Sequence, residues 1–142
     1  MKKYLNIAFA YAVAAMAGGV FYREFTKWNG FTGVTALGKV HAHLFLLGMF
    51  VFLLAALFSS KLELSGLKSF RAFLCLYNIG VPLTAVMLLV RGIPQVLGTA
   101  LSAGADAAVS GLAGVGHILT GAGLVLLLVS LKKAAEKAEI PA

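Results

Sequence analysis

From Leu44 to Phe58 every residue is apolar or glycine, and no charge, amide or hydroxyl interrupts the run. A helix on the surface of a soluble domain needs a polar face, and this stretch has none. Apolar character of the same kind recurs in segments of about 4–22, 34–58, 70–90 and 109–131. Each approaches the ~20 residues that cross a bilayer as a helix. Hydrocarbon offers the main chain no hydrogen-bonding partner, so helices that satisfy themselves are the structure such segments adopt. The alternation of a membrane-barrel strand is missing. The expected fold is all-α, an integral membrane four-helix up-down bundle forming a single transmembrane domain over residues 1–142.

Composition agrees with a bilayer as the chain's solvent. Hydrophobic residues make up 61% and charged residues 12%, where a soluble domain carries roughly a quarter charged. The net charge of +7 reads as basic loops of a membrane protein. No basic cluster is interleaved with base-stacking aromatics, so nucleic acid is not an expected partner. Cys75 is the single cysteine, which excludes an intrachain disulfide framework and a cysteine-based zinc site. With the N-terminus inside, Lys2, Lys3, Lys61, Lys68, Arg71, Lys132, Lys133 and Lys137 face the cytoplasm, and Arg23, Lys27, Lys39 and Arg91 face out. That excess predicts both termini in the cytoplasm of a prokaryote, in a multi-pass inner-membrane protein. Lys132–Ala142 then forms a short, frayed, charged extension. Met1-Lys2-Lys3 followed by Ala15-Met16-Ala17 has the form of a secretory signal. The apolar run continues through Gly18-Gly19-Val20-Phe21, so a retained first helix is expected.

Three histidines lie inside these runs. His41 and His43 head the second and His117 lies within the fourth. An imidazole in hydrocarbon is expensive and marks a functional site by default. Both helices begin on the outer side, and at ~1.5 Å per residue all three histidines sit roughly 10–14 Å below the outer ends. In an up-down bundle these two helices face each other across the core. Residues two apart are about 200° around a helix, so His41 and His43 cannot both meet one partner. Gly38, Gly48 and Ala55 lie within about 60° of His41, and small residues mark the crowded face of a membrane helix. His43 shares its side with Leu46, Leu47, Phe50, Leu54 and Leu57, a stripe suited to lipid or a second subunit. Ser110, Ala113, Gly114, Thr120 and Gly121 surround His117. Small-residue faces therefore favour His41 with His117.

Histidines at one depth on facing helices, with Gly48, Gly114 and Gly121 beside them, suit a flat porphyrin. Its propionates would meet cations at the outer helix ends, where Arg23 and Arg91 close the first and third segments. Pro82 interrupts the third segment and removes a hydrogen bond at Asn78, which predicts a kink. Tyr77 and Asn78 there are further candidates for a polar contact.

Tyr22-Arg23-Glu24-Phe25, the stretch His41-Ala42-His43-Leu44-Phe45-Leu46-Leu47-Gly48-Met49 and the short four-span layout resemble a small bacterial and archaeal membrane family of unknown function. The His-x-His stretch also resembles one helix of the haem-copper oxidase catalytic subunit and its nitric oxide reductase relatives. That resemblance implies that the second histidine shares a low-spin haem with a histidine on another helix, which would pair His43 with His117. No histidines remain for a copper site, so oxygen reduction at a binuclear centre is not implied.

The expected function is a haem-binding membrane protein like a b-type cytochrome. Haem b would be held by His117 and either His41 or His43, for electron transfer or gas-ligand binding, in a homodimer embedded in lipid. The alternatives are copper or another transition metal on these histidines with Met49, and a non-catalytic assembly or transport partner. No nucleophile–base arrangement or nucleotide-binding glycine loop points to a hydrolase or nucleotide-dependent enzyme.

Overall fold

The computed structural model of the protein describes residues 1–139 and is all-α. Four helices carry the apolar segments: α1 (Lys2–Trp28), α2 (Leu37–Phe58), α3 (Lys68–Leu97) and α4 (Ala103–Glu139). All four are long and apolar enough to cross a membrane. Three of them outrun the apolar stretch at both ends. Hydropathy locates the part that suits hydrocarbon, whereas the hydrogen-bonding ladder continues through charged flanks at no penalty. The extension at Lys132–Glu139, expected to fray, is therefore helical; residues 140–142 of that expected extension lie outside the described residues.

The second helix starts late, at Leu37 in place of Val34, because the residues before it are bound elsewhere. The Thr35 hydroxyl donates to the Gly92 carbonyl (3.0 Å), and the Ala36 amide donates to Gln95 Oε1 (2.8 Å). Gly92 lets α3 come against this corner, since a Cβ there would stand 2.5 Å from the Leu37 nitrogen. The connection between α1 and α2 is thereby fixed to the far end of α3.

Contact pairs give the directions. Gly38 meets Tyr22, Gly18 meets Val40 and Gly48 meets Tyr11, so α1 and α2 are antiparallel. Thr84 meets Gly116, Gly80 meets Thr120 and Tyr77 meets Gly123, so α3 and α4 are antiparallel too. Hydrocarbon supplies no hydrophobic drive between helices, so close packing and hydrogen bonds must hold them. Aromatic rings do this for α1, α2 and α3. Tyr11 stacks on Phe52 at 5.7 Å, Phe52 meets Phe73 and Tyr77 at 5.9 Å each, and Tyr4 meets Phe70 edge-on at 5.5 Å. Helix α4 is attached through small and hydroxylated residues, with Ser130 bonded to Ser69 at 2.8 Å. It docks along α3 and scarcely approaches α1, so the bundle is open on that side.

One turn type was not foreseen. From Leu44 to Phe50, α2 winds as a π-helix between two α-helical sections. Such wide turns take an extra residue and recur at functional sites. This one begins directly after His43.

Candidate metal centre

The α-helical start of α2 ends at His43, and His117 follows Gly116, the residue that seats α4 on Thr84 of α3. These two placements bring the imidazoles of His43 and His117 together, with ring centres 6.3 Å apart and planes at 87°. Each ring is anchored by its own helix. His43 Nδ1 lies 2.9 Å from the Lys39 carbonyl, and His117 Nδ1 lies 2.7 Å from the Ala113 carbonyl. A carbonyl can only accept, so each Nδ1 carries a proton and Nε2 is the nitrogen left for a ligand. This is how ligand histidines are fixed in tautomer and made more basic. His117 is exposed at the surface of the bundle and His43 is half-buried.

His41 is placed differently. Its ring stands against α1, where a Cβ on Gly19 would lie 3.6 Å from the His41 Cβ, and its Nδ1 is buried without a hydrogen-bond partner. The small residues of α2, expected to turn His41 toward His117, turn it toward α1. The small face of α2 is indeed its crowded face, but the neighbour it crowds against is α1. Gly38 accommodates Tyr22 and Gly48 accommodates the Tyr11 ring. Gly48 accordingly serves α1–α2 packing and lies away from the histidine pair. The π-turns contribute as well, because face assignments made at 3.6 residues per turn drift across Leu44–Phe50.

Gly114 and Gly121 behave in the opposite way. Nothing lies within 4 Å of a Cβ built on either one, so neither serves packing within the chain. They flank His117 on an open stretch of α4. Arg91 reaches from α3 to this helix, its guanidinium 3.1 Å from Asp106 Oδ1 and 2.6 Å from Ser110 Oγ. Ser110 and His117 are two turns apart on one face, so the arginine sits toward the N-terminal end of α4 on the face that carries the ring. Arg23 remains on α1, with its side chain 80% exposed and 3.8 Å from Glu24. The two arginines thus have separate partners, Arg23 within α1 and Arg91 on α4.

The other candidates fall away from the pair. Met49 packs against the aromatic core, and Tyr77 is fully buried among Phe52 and Phe73. Helix α3 runs on through Pro82, and the Asn78 amide donates to the Leu74 carbonyl at 2.7 Å. Cys75 is exposed. Among the described residues no group of three or more His, Cys, Asp or Glu side chains gathers as a metal cage. Sequence reading missed Asp106 and the π-turns. The carbonyl four residues before each histidine, however, is a partner that any helix supplies.

The model of one protein family, described as a protein of unknown function (DUF2871), matches residues 1–134. No curated protein and no solved structure matches the chain. The family match takes in all of α1, α2 and α3 and most of α4, and the chain belongs to this family.

Proposed function

We propose that this member of the DUF2871 family is a haem-binding membrane protein of b-type cytochrome character, with His43 and His117 as the iron ligands. The observation that carries the reading is the histidine pair itself, 6.3 Å between ring centres with both Nδ1 atoms committed to carbonyls. A metal bound at about 2 Å to each of two imidazoles separates their centres by about 6 Å once the ring radii are included. Two ligands are fewer than a zinc ion takes from protein, whereas a porphyrin brings four nitrogens of its own. Haem held by two neutral imidazoles supplies a low-spin iron suited to electron transfer, with a potential set by ligands and burial. The open flank at Gly114 and Gly121 leaves room for a flat ring against α4. Arg91, bonded to Ser110 on the face that carries His117, would answer a propionate in exchange for Asp106 or beside it. The His-x-His helix supports the reading by its resemblance to the oxidase helix, in which the second histidine has this role.

We further place the protein in a prokaryotic inner membrane with both termini cytoplasmic, on the sidedness of its lysines and arginines. The exposed His117 face, carrying Val115 and Ile118 beside the open glycines, would be covered in a homodimer. Were one histidine to leave the iron, the vacated position would take a gas ligand.

Absorption spectra of detergent-purified protein, oxidised and dithionite-reduced, test the central claim. A Soret band with sharp reduced α and β bands is expected in the wild type and in His41→Ala. His43→Ala and His117→Ala are each expected to lose the six-coordinate spectrum. No Soret band after reconstitution with haem, or a spectrum indifferent to His43 and His117, would overturn it.

A further inference from the structure

Helix α4 outlasts its partner. Ser130 is bonded to Ser69, the second residue of α3, and α4 continues to Glu139, so its last turns have no part of α3 beside them. The connection between α2 and α3 folds there instead. Its backbone is tied down: the Leu62 amide donates to the Phe58 carbonyl at 2.8 Å, the Leu67 amide donates to the Leu64 carbonyl at 3.1 Å, and Leu64 is fully buried. Between this wall and the end of α4 lies a cleft of about 330 Å³.

Charge and hydrocarbon share the lining. Lys61 comes from the connection and Lys137 from α4, alongside Leu62, Leu67 and Ala134. The ion pairs among the described residues are Arg23–Glu24, Arg91–Asp106 and Lys132–Glu136, so neither lining lysine has a carboxylate partner there. Glu63 lines the cleft too, and its carboxylate accepts from the Ser65 hydroxyl. Two lysines and one glutamate leave a surplus of one positive charge. The apolar run of α2 ends at Phe58, three residues before Lys61, so the cleft sits where hydrocarbon gives way to head groups. Lysine suits that boundary, with its stem on apolar surface and its ammonium in the wet layer. A ligand matched to the cleft carries one negative charge joined to an apolar part. A soluble anion has only the charge, and a zwitterionic head group leaves the surplus unanswered.

We propose that this cleft binds an anionic phospholipid, its phosphate between Lys61 and Lys137 and the roots of its acyl chains against Leu62, Leu67 and Ala134. The site rests on the chain spanning a bilayer, and needs neither haem nor a particular sidedness. Each lysine at a membrane surface strengthens the attraction of anionic lipid by about fivefold.

Full-length protein extracted from membranes in detergent is titrated with phosphatidylglycerol and followed by native mass spectrometry. Phosphatidylcholine with the same acyl chains and inorganic phosphate run alongside. One phosphatidylglycerol per chain should be retained, with phosphatidylcholine held at least about fivefold less tightly. Lys61→Gln and Lys137→Gln should each weaken phosphatidylglycerol by about fivefold, and Lys2→Gln should leave it unchanged. Tyr4 packs on Phe70, so Lys2 lies at the same end of the bundle and controls for general basic charge. All three lysines are exposed, so glutamine disturbs no packing, and the comparison of lipids on wild-type protein decides the matter without any variant. Equal retention of the two lipids, a preference indifferent to Lys61 and Lys137, equal weakening by Lys2→Gln, or displacement by millimolar phosphate would overturn the proposal. A chain found in the soluble fraction without detergent would overturn the bilayer reading with it, whereas membrane-extracted protein lacking the preference would sink the cleft alone.

Discussion

Glycine serves two opposed purposes along these helices, and a single methyl group separates them. At Gly80 an added Cβ would lie 2.6 Å from the Thr120 nitrogen, and at Gly116 it would lie 3.0 Å from the Thr84 nitrogen. Main chain on the facing helix cannot swing aside, so Gly80→Ala should push α4 off α3 and destabilise the protein by about 1–3 kcal/mol. Gly114→Ala and Gly121→Ala meet open space. They should be neutral or stabilise the apoprotein by up to ~1 kcal/mol through helix propensity. Unfolding in a denaturing detergent series, monitored by circular dichroism, measures both. If Gly114→Ala were as damaging as Gly80→Ala, the flank beside His117 would not be open.

At the scale of the element, the π-turns of α2 decide which histidine faces which neighbour. They stand between Leu37–His43, which ends on the proposed ligand His43, and Val51–Phe58, which is held in the core by Phe52. Deleting Leu46 removes one residue and rotates the two sections against each other by about 100°. Helical content should persist while His43 swings away from His117, so a haem spectrum should vanish with no change in far-ultraviolet circular dichroism. A retained spectrum would show that the extra residue is immaterial to the site. The start of α2 offers a second check. Thr35→Val keeps shape but loses the buried bond to the Gly92 carbonyl and the one its hydroxyl accepts from the Leu37 amide. A loss of about 1–3 kcal/mol is expected, read in the same unfolding assay.

For the whole molecule, the arrangement is a three-helix aromatic core with α4 applied along α3. Leu46 and Phe50 of α2 and Ile118 of α4 are exposed, and a bilayer would cover them without penalty. Their exposure therefore says nothing against stability in lipid. If a second copy covers the His117 face, Ile118→Cys in a Cys75→Ser background should form disulfide-linked dimers on oxidation in membranes. Phe9→Cys on α1, equally exposed, should not. Orientation has its own measurement. A fluorescent reporter that folds only in the cytoplasm should light up when fused after Glu139, and an alkaline phosphatase fusion there should be inactive.

Sequence alone determined that four helices form and roughly where they lie. A run such as Leu44–Phe58 has no polar face for water, and a bilayer admits no other open-ended structure. It also singled out the three histidines, two at the head of one apolar run and one inside another. Helix ends were legible only in part, because Thr35 and Ala36 are drawn out of α2 by Gly92 and Gln95, fifty-seven and fifty-nine residues away. The partner of His117 belonged to the tertiary structure. Small residues on α2 marked a crowded face correctly, yet periodicity carries no information about which helix does the crowding. Only the packing of α1 against Gly38 and Gly48, with the extra residue in the π-turns, sends His41 to α1 and leaves His43 beside His117. A helix's faces are set locally by its pitch, but its neighbours are set by contacts between residues far apart in the chain.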